Sequence, residues 1–238
     1  MAAEPPRERR LRLLAITGLS PQVVTETVWA LAMRAPPLCP DEIVLLTTTE
    51  GAAAAERLLP AALDDLSARL GLPLPQPQIV VMRDRAGRPL GDIAGAEDNQ
   101  AAADAITTTI RTATADPDLR LHVSIAGGRK TMGCLAGMAL SLFGREGDGL
   151  SHVLVDPRFQ AREDFFFPPE PPRLLPLPGG GALSTAECRI VLAEIPFVRL
   201  RGQWRPMVLR PPAIETCSRR SGSAVAVRMV VVMASAAA

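Results

Sequence analysis

One lysine stands in a chain whose other basic residues are all arginine. It is Lys130, in the run Ser124-Ile125-Ala126-Gly127-Gly128-Arg129-Lys130-Thr131. Two glycines allow a backbone to approach a ligand closely. A helix that starts just after them offers unpaired amides and the positive end of its dipole. Arg129, Lys130 and the Thr131 hydroxyl add charge and a donor, so the run reads as an anion site, best suited to phosphate. It is not a Walker P-loop, because Arg129 precedes the lysine and Ile125 occupies the place of the upstream glycine. Nor does it have the Gly-x-Gly-x-x-Gly spacing of a dinucleotide fingerprint.

A second turn carries Thr17, Gly18, Leu19, Ser20, Pro21 and Gln22. It approaches a nucleophile elbow but lacks the second glycine. The chain holds only His122 and His152 as candidate bases, and His122 sits inside a strand pattern, so a serine hydrolase is rejected. The turn reads as a second anion-binding loop with Ser20 as hydroxyl donor, a role compatible with helix capping. Thr47 and Thr48 end another apolar run. Asn99, the only asparagine, opens a helical pattern, where it could cap the helix or reach a nucleobase or ribose. Arg145 and His152 match the Arg-x(4–6)-His spacing of helical ribonuclease domains, but here they straddle a glycine-rich loop entering a strand, so the match is chance. Cys39, Cys134, Cys188 and Cys217 are scattered without a C-x-x-C pair, which favours free thiols over zinc or a disulfide framework.

These residues need a scaffold, and the hydropathy pattern supplies one. Short apolar runs over 11–16, 43–46, 79–82, 119–125 and 151–155 read as strands, with 164–167 as a sixth. Helical periodicity covers 22–33, 52–70 (with a break near Pro60), 97–115 and 132–143. Pro21 suits the first turn of its helix. The segment 83–95 is a polar loop placed to cover a site. Strands alternating with helices predict an α/β fold, a Rossmann-like mainly parallel sheet with helices on both faces and a small C-terminal appendage. In such sheets ligands bind beyond the carboxyl ends of the strands, where the 17–21, 47–51 and 127–131 turns all fall.

The expected organisation is a flexible leader over 1–10, a main domain over 11–167, a proline- and glycine-rich linker over 168–182 and the appendage over 183–238. Within the appendage, 184–195 reads as a helix, with Ser184 and Glu187 as a capping box. The runs 197–200 and 207–209 read as a hairpin, and part of the tail beyond 211 is expected to be mobile. The formal net charge of +1 gives no global basic field, so no long nucleic acid is expected. Aromatics are scarce and tyrosine is absent, which argues against a stacking platform for single strands. The leader does not read as a signal peptide, and the apolar run 224–238 is interrupted by Arg228 and too short to span a bilayer. The expectation is a soluble, cytoplasmic protein with no membrane association.

The run 17–27, then Thr47-Thr48, Asn99 in an alanine-rich helix start, the run 124–132, and Leu150-Ser151-His152-Val153-Leu154-Val155 together resemble the CRISPR-associated Rossmann-fold (CARF) family. The similarity is strongest to its stand-alone ring nuclease branch and covers about 11–167. It implies a homodimer that binds cyclic oligoadenylate, usually the four-membered ring, at the dimer interface. It implies cleavage without metal or cofactor, by attack of a ribose 2′-OH on the adjacent phosphorus, which would switch off type III CRISPR signalling. Lys130 and Ser20 would be the catalytic residues. Thr17, Gly18, Gln22, Thr47, Thr48, Asn99, Gly127, Gly128, Arg129 and Thr131 would bind the ligand. Two other readings stay open: a sensor or sponge that binds the ring without cutting it, acting through its C-terminal arm, and a regulator contacting DNA, which the near-neutral charge disfavours.

Overall fold

The computed structural model describes residues 9–160, 162–177 and 180–202. Strand β1 (Arg10–Ile16) leads to helix α1 (Gln22–Ala32), β2 (Glu42–Thr47), α2 (Thr49–Leu70), β3 (Gln78–Val81), α3 (Ala96–Ala115), β4 (Leu119–Ser124), α4 (Lys130–Phe143) and β5 (Gly149–Val155). A single helical turn, α5 (Pro157–Gln160), precedes the short strands β6 (Leu174–Pro176) and β7 (Ala182–Ser184), and β8 (Ile190–Glu194) follows.

Among the described residues, six strands form one sheet in the order β3-β2-β1-β4-β5-β8. The first five are parallel, and β8 joins β5 antiparallel. The α/β expectation is met: a mainly parallel sheet has helices on both faces. Alternation along the strands sorts the core. Leu14, Ile16, Val44 and Leu46 point to the face covered by α3 and α4. Leu13, Ala15, Ile43 and Leu45 point to the face covered by α1 and α2. Strands buried on both sides must be apolar throughout, which is why β1 and β2 read as unbroken hydrophobic runs.

The chain winds outward from β1 through β2 to β3, then returns to place β4 on the other side of β1. The direction of winding therefore reverses between β1 and β4. A crevice opens at such a switch point, beyond the carboxyl ends of the two strands.

Four local expectations are corrected. Helix α2 runs unbroken through Pro60, which lies on its exposed side, where the carbonyl left unpaired by the missing N–H can meet water. Residues 164–167 form no strand: Phe165 and Phe167 are buried, and the Phe166 carbonyl accepts a 2.9 Å bond from Thr25 Oγ1, so this is a loop pinned to α1. Residues 184–195 are not a helix. Ser184 Oγ does accept from the Ala186 amide, but only a turn of 3-10 helix follows, and then β8 extends the sheet past the boundary expected at 167. Residues 197–200 carry no strand, and the rest of the expected hairpin, with the tail, lies outside the described residues. No helix among the described residues is long and apolar enough to cross a membrane.

Candidate functional site at the carboxyl edge of the sheet

The turn after β1 leaves the sheet through Thr17, which is buried and whose amide donates to the Leu46 carbonyl at 3.1 Å. Pro21 takes the N-cap position of α1 with a helical φ of −69°, and no side chain caps the helix. Ser20 therefore does not serve as the cap. It stands exposed beside Leu19, and Gln22 is the first residue of α1.

The turn after β4 is built the same way. The Ile125 amide donates to Ser151 O at 3.0 Å, which ties the turn to β5. Gly128 adopts a positive φ of 77°, the left-handed region that a residue with a Cβ rarely enters. Arg129 is the N-cap residue, but its side chain caps nothing, and Lys130 opens α4. The helix thus starts inside the turn, earlier than the hydropathy pattern indicates. Its first amides lack a side-chain acceptor, and Lys130 and Thr131 are exposed beside them. A helix start left this way favours an incoming anion.

The two turns touch. A Cβ on Gly127 would sit 3.1 Å from both Cα and Cβ of Thr17, and one on Gly18 would sit 3.3 Å from the Gly128 Cα. The two glycines let the turns approach more closely than a Cβ ordinarily permits. The turn after β2 closes the group: a Cβ on Gly51 would collide with Thr47 Oγ1 and the Gly18 carbonyl oxygen. Thr47 Oγ1 donates to the Thr17 carbonyl at 2.9 Å, and Thr48 Oγ1 accepts from the Gly51 amide at 3.4 Å as the N-cap of α2. Both threonines are buried with their hydroxyls engaged in this bracing.

The 83–95 segment reaches the rim as well. The Leu90 carbonyl accepts from Thr49 N at 2.8 Å and from Thr49 Oγ1 at 3.1 Å. Asp92 pairs with Arg129, and that hydrogen bond, helped by the Ile93 amide, holds the Asp92 carboxyl below its ordinary range. Asp92 is not singled out by the sequence, and Gly51 enters there only as the end of the 47–51 turn. The glycine inside the Thr-Thr-Thr-Glu-Gly turn was the available signal for the latter, whereas no local pattern joins Asp92 to Arg129. Lys130 has no ion-pair partner among the described residues. Two amide oxygens, Gln22 Oε1 and Asn99 Oδ1, are buried without a partner. Asn99 does not cap α3, because the Asp98 carboxylate takes the Ala94 and Gly95 amides at 3.1 Å.

Other candidates are structural. His122 is buried with Nε2 at 2.7 Å from Ser151 Oγ, as a core histidine should be. Arg145 is tied to Asp148 and to the Leu119 and Asp116 carbonyls, and His152 Nδ1 lies at 2.7 Å from the Val153 carbonyl oxygen. Cys39, Cys134 and Cys188 are free thiols, and Cys217 lies outside the described residues. No group of three or more His, Cys, Asp or Glu among the described residues is arranged to hold a metal.

The model of a family described as CRISPR-associated protein NE0113 (Cas_NE0113) matches residues 20–221. The match begins within the β1–α1 turn and spans most of the chain, so the chain belongs to that family. No curated protein matches it.

Proposed function

We propose that this CRISPR-associated protein, a member of the NE0113 family, is a ring nuclease of the CARF type that cleaves cyclic oligoadenylate, with the four-membered ring as the favoured substrate. The observation that carries this reading is the contact between two glycine turns at the switch point, each opening a helix without a side-chain cap, with Lys130 unpaired beside them. Helix starts of this kind suit a phosphate backbone bent between them.

In the proposed reaction a ribose 2′-oxygen attacks the adjacent phosphorus and gives up its proton. The P–O5′ bond breaks, the departing 5′-oxygen takes up a proton, and a 2′,3′-cyclic phosphate remains. The nucleophile belongs to the substrate, so the protein must supply orientation and charge stabilisation. Lys130 stabilises the charge on the phosphorane oxygens or the leaving oxygen, and Ser20 orients the ribose hydroxyl. Arg129, Thr131 and the Gly127 and Gly128 amides hold phosphate, with Arg129 steadied by Asp92. Gln22 and Asn99 carry unpaired buried amide oxygens, which as acceptors fit the exocyclic amine of adenine. Thr17, Gly18, Thr47 and Thr48 shape and brace the rim.

The rim is an open ledge, since Leu19, Ser20, Gly128, Arg129, Lys130 and Thr131 are all exposed. A ring with repeated phosphates needs a second such ledge to close over it, which a homodimer provides. Helix α4 carries Cys134, Met138 and Leu142 at successive four-residue steps from Lys130; Cys134 is exposed, Met138 is 60% exposed and Leu142 is 38% exposed. Pairing of that face with its copy about a two-fold axis brings two Lys130 ledges together.

The test is incubation of the full chain with labelled cyclic tetra-adenylate in EDTA. Linear products ending in 2′,3′-cyclic phosphate support the nuclease. Tight retention of an intact ring replaces it with a sensor or sponge, and absence of binding removes both readings.

A further inference from the structure

A cluster of three arginines lies at the opposite end of the sheet from the rim. A cleft of about 560 Å³ opens there between the start of β5, the end of β8 and the C-terminal end of α1. Arg34, Arg120, Arg199 and His122 form its polar side together with the carboxylates of Asp148 and Glu194, and Ile195 and Phe197 contribute to its apolar side. Clefts of this volume accommodate small organic ligands.

Arg120 and Arg199 are held in place by backbone carbonyls, which leave their charge uncancelled. Arg120 Nε donates to the Gly147 carbonyl at 2.6 Å. Arg199 donates through Nε to the Arg145 carbonyl at 3.0 Å and through Nη2 to the Asp148 carbonyl at 2.9 Å, and its guanidinium stacks 4.4 Å above the Phe197 ring. Among the described residues neither Arg120 nor Arg199 pairs with a carboxylate. Arg34 has one, Glu194 at 2.8 Å, which is itself largely exposed. The nearby Asp148 carboxylate is engaged by Arg145 and the Leu121 amide. Three guanidinium groups therefore face one available carboxylate.

His122 floors the cleft. Its Nε2 meets Ser151, while Nδ1 has no partner among the described residues and lies over Gly149, where a Cβ would come within 3.0 Å. Burial first, then the charges of Arg34 and Arg120, push the His122 pKa down to about 4, so the ring is neutral at physiological pH.

We infer that this cleft is a second, independent anion site that takes a small phosphate monoester, with the phosphate among Arg34, Arg120 and Arg199 and the organic part against Ile195 and Phe197. Fixed guanidinium forks match phosphate oxygens better than mobile ammonium groups do.

The probes are inorganic phosphate and adenosine 5′-monophosphate, titrated by calorimetry into the full-length protein, with binding at the rim told apart by the arginine substitutions and the His122 signals. The expected result is saturable binding of the monophosphate, tighter than that of phosphate alone. Arg120→Gln and Arg199→Ala should each weaken it about tenfold or more. The His122 ring resonances should shift on binding, a change that binding at the distant rim would not produce. Arg199 is exposed, so its variant tests the site even if Arg120→Gln disturbs the 147–149 turn. The inference is overturned by absence of saturable binding into the millimolar range, or by binding that survives both arginine substitutions.

Discussion

Single residues carry the rim. Gly51 packs against Thr47 Oγ1 and the Gly18 carbonyl so closely that a methyl group has no room. Gly51→Ala is therefore expected to lower stability by about 1–3 kcal/mol and to spread the two turns, because backbone must move to accept it. Urea denaturation checks the first effect and ring binding the second. Two buried ionisable groups set opposing pH limits. His122 titrates near 4 in the folded chain against 6.5 for an unperturbed histidine, so the unfolded chain holds the extra proton in between. Its contribution is complete above pH 6.5 and is lost as pH falls toward 4. Burial raises Glu26 from 4.5 to about 7, so there the folded chain holds the extra proton, and that contribution is complete below pH 4.5 and is lost as pH rises through 7. Each is worth up to roughly 3 kcal/mol. The two windows overlap and their slopes cancel between about pH 4.5 and 6.5, so stability measured against pH should be nearly flat there; His122→Gln should leave it falling as pH rises from 4.5 to 7, and Glu26→Gln should leave it rising from 4 to 6.5. Unchanged slopes in both variants would remove these assignments.

At the level of elements, β8 shows how far local pattern reaches. Ser184 and Glu187 offered a helix start, and Ser184 does cap a turn, yet the chain leaves the helix after Glu187. The β-branched pair Ile190-Val191 was the contrary signal, and pairing with the open edge of β5 decided the outcome, since an unpaired strand edge is a strong template. Leu192 packs on the core from β8 while Val191 is 54% exposed. Leu192→Ala should cost about 1–3 kcal/mol and Val191→Thr under about 0.5 kcal/mol in chemical denaturation. Equal effects would mean that β8 is not seated on the sheet as described. The first five strands and their helices were readable because each is long, apolar and periodic. Phe165 and Phe167 misled because alternate burial also arises in a loop wedged against a helix.

On the scale of the molecule, strand order is what makes two distant sequence runs into one place. Residues 17–20 and 127–130 are far apart in the chain, and only the position of β1 beside β4 brings Gly18 onto Gly128. The fold class implied that meeting, because ligand sites of parallel sheets gather at the carboxyl edge. The Asp92–Arg129 pair was invisible, since it depends on how one loop lies across another. The proposed dimer also belongs to this scale. Met138→Asp on the exposed face of α4 should convert a dimer to a monomer in light scattering and abolish ring binding without unfolding the chain. A variant that stays dimeric would place the interface elsewhere.

Lys130 offers the most direct test of the central claim that its ammonium group stabilises the charge formed as the ring opens. Under single turnover in EDTA, with protein in excess over labelled cyclic tetra-adenylate, Lys130→Ala should bind the ring and cleave it about 10²–10³-fold more slowly than the parent chain. Cleavage by Lys130→Ala at the parent rate would contradict the account.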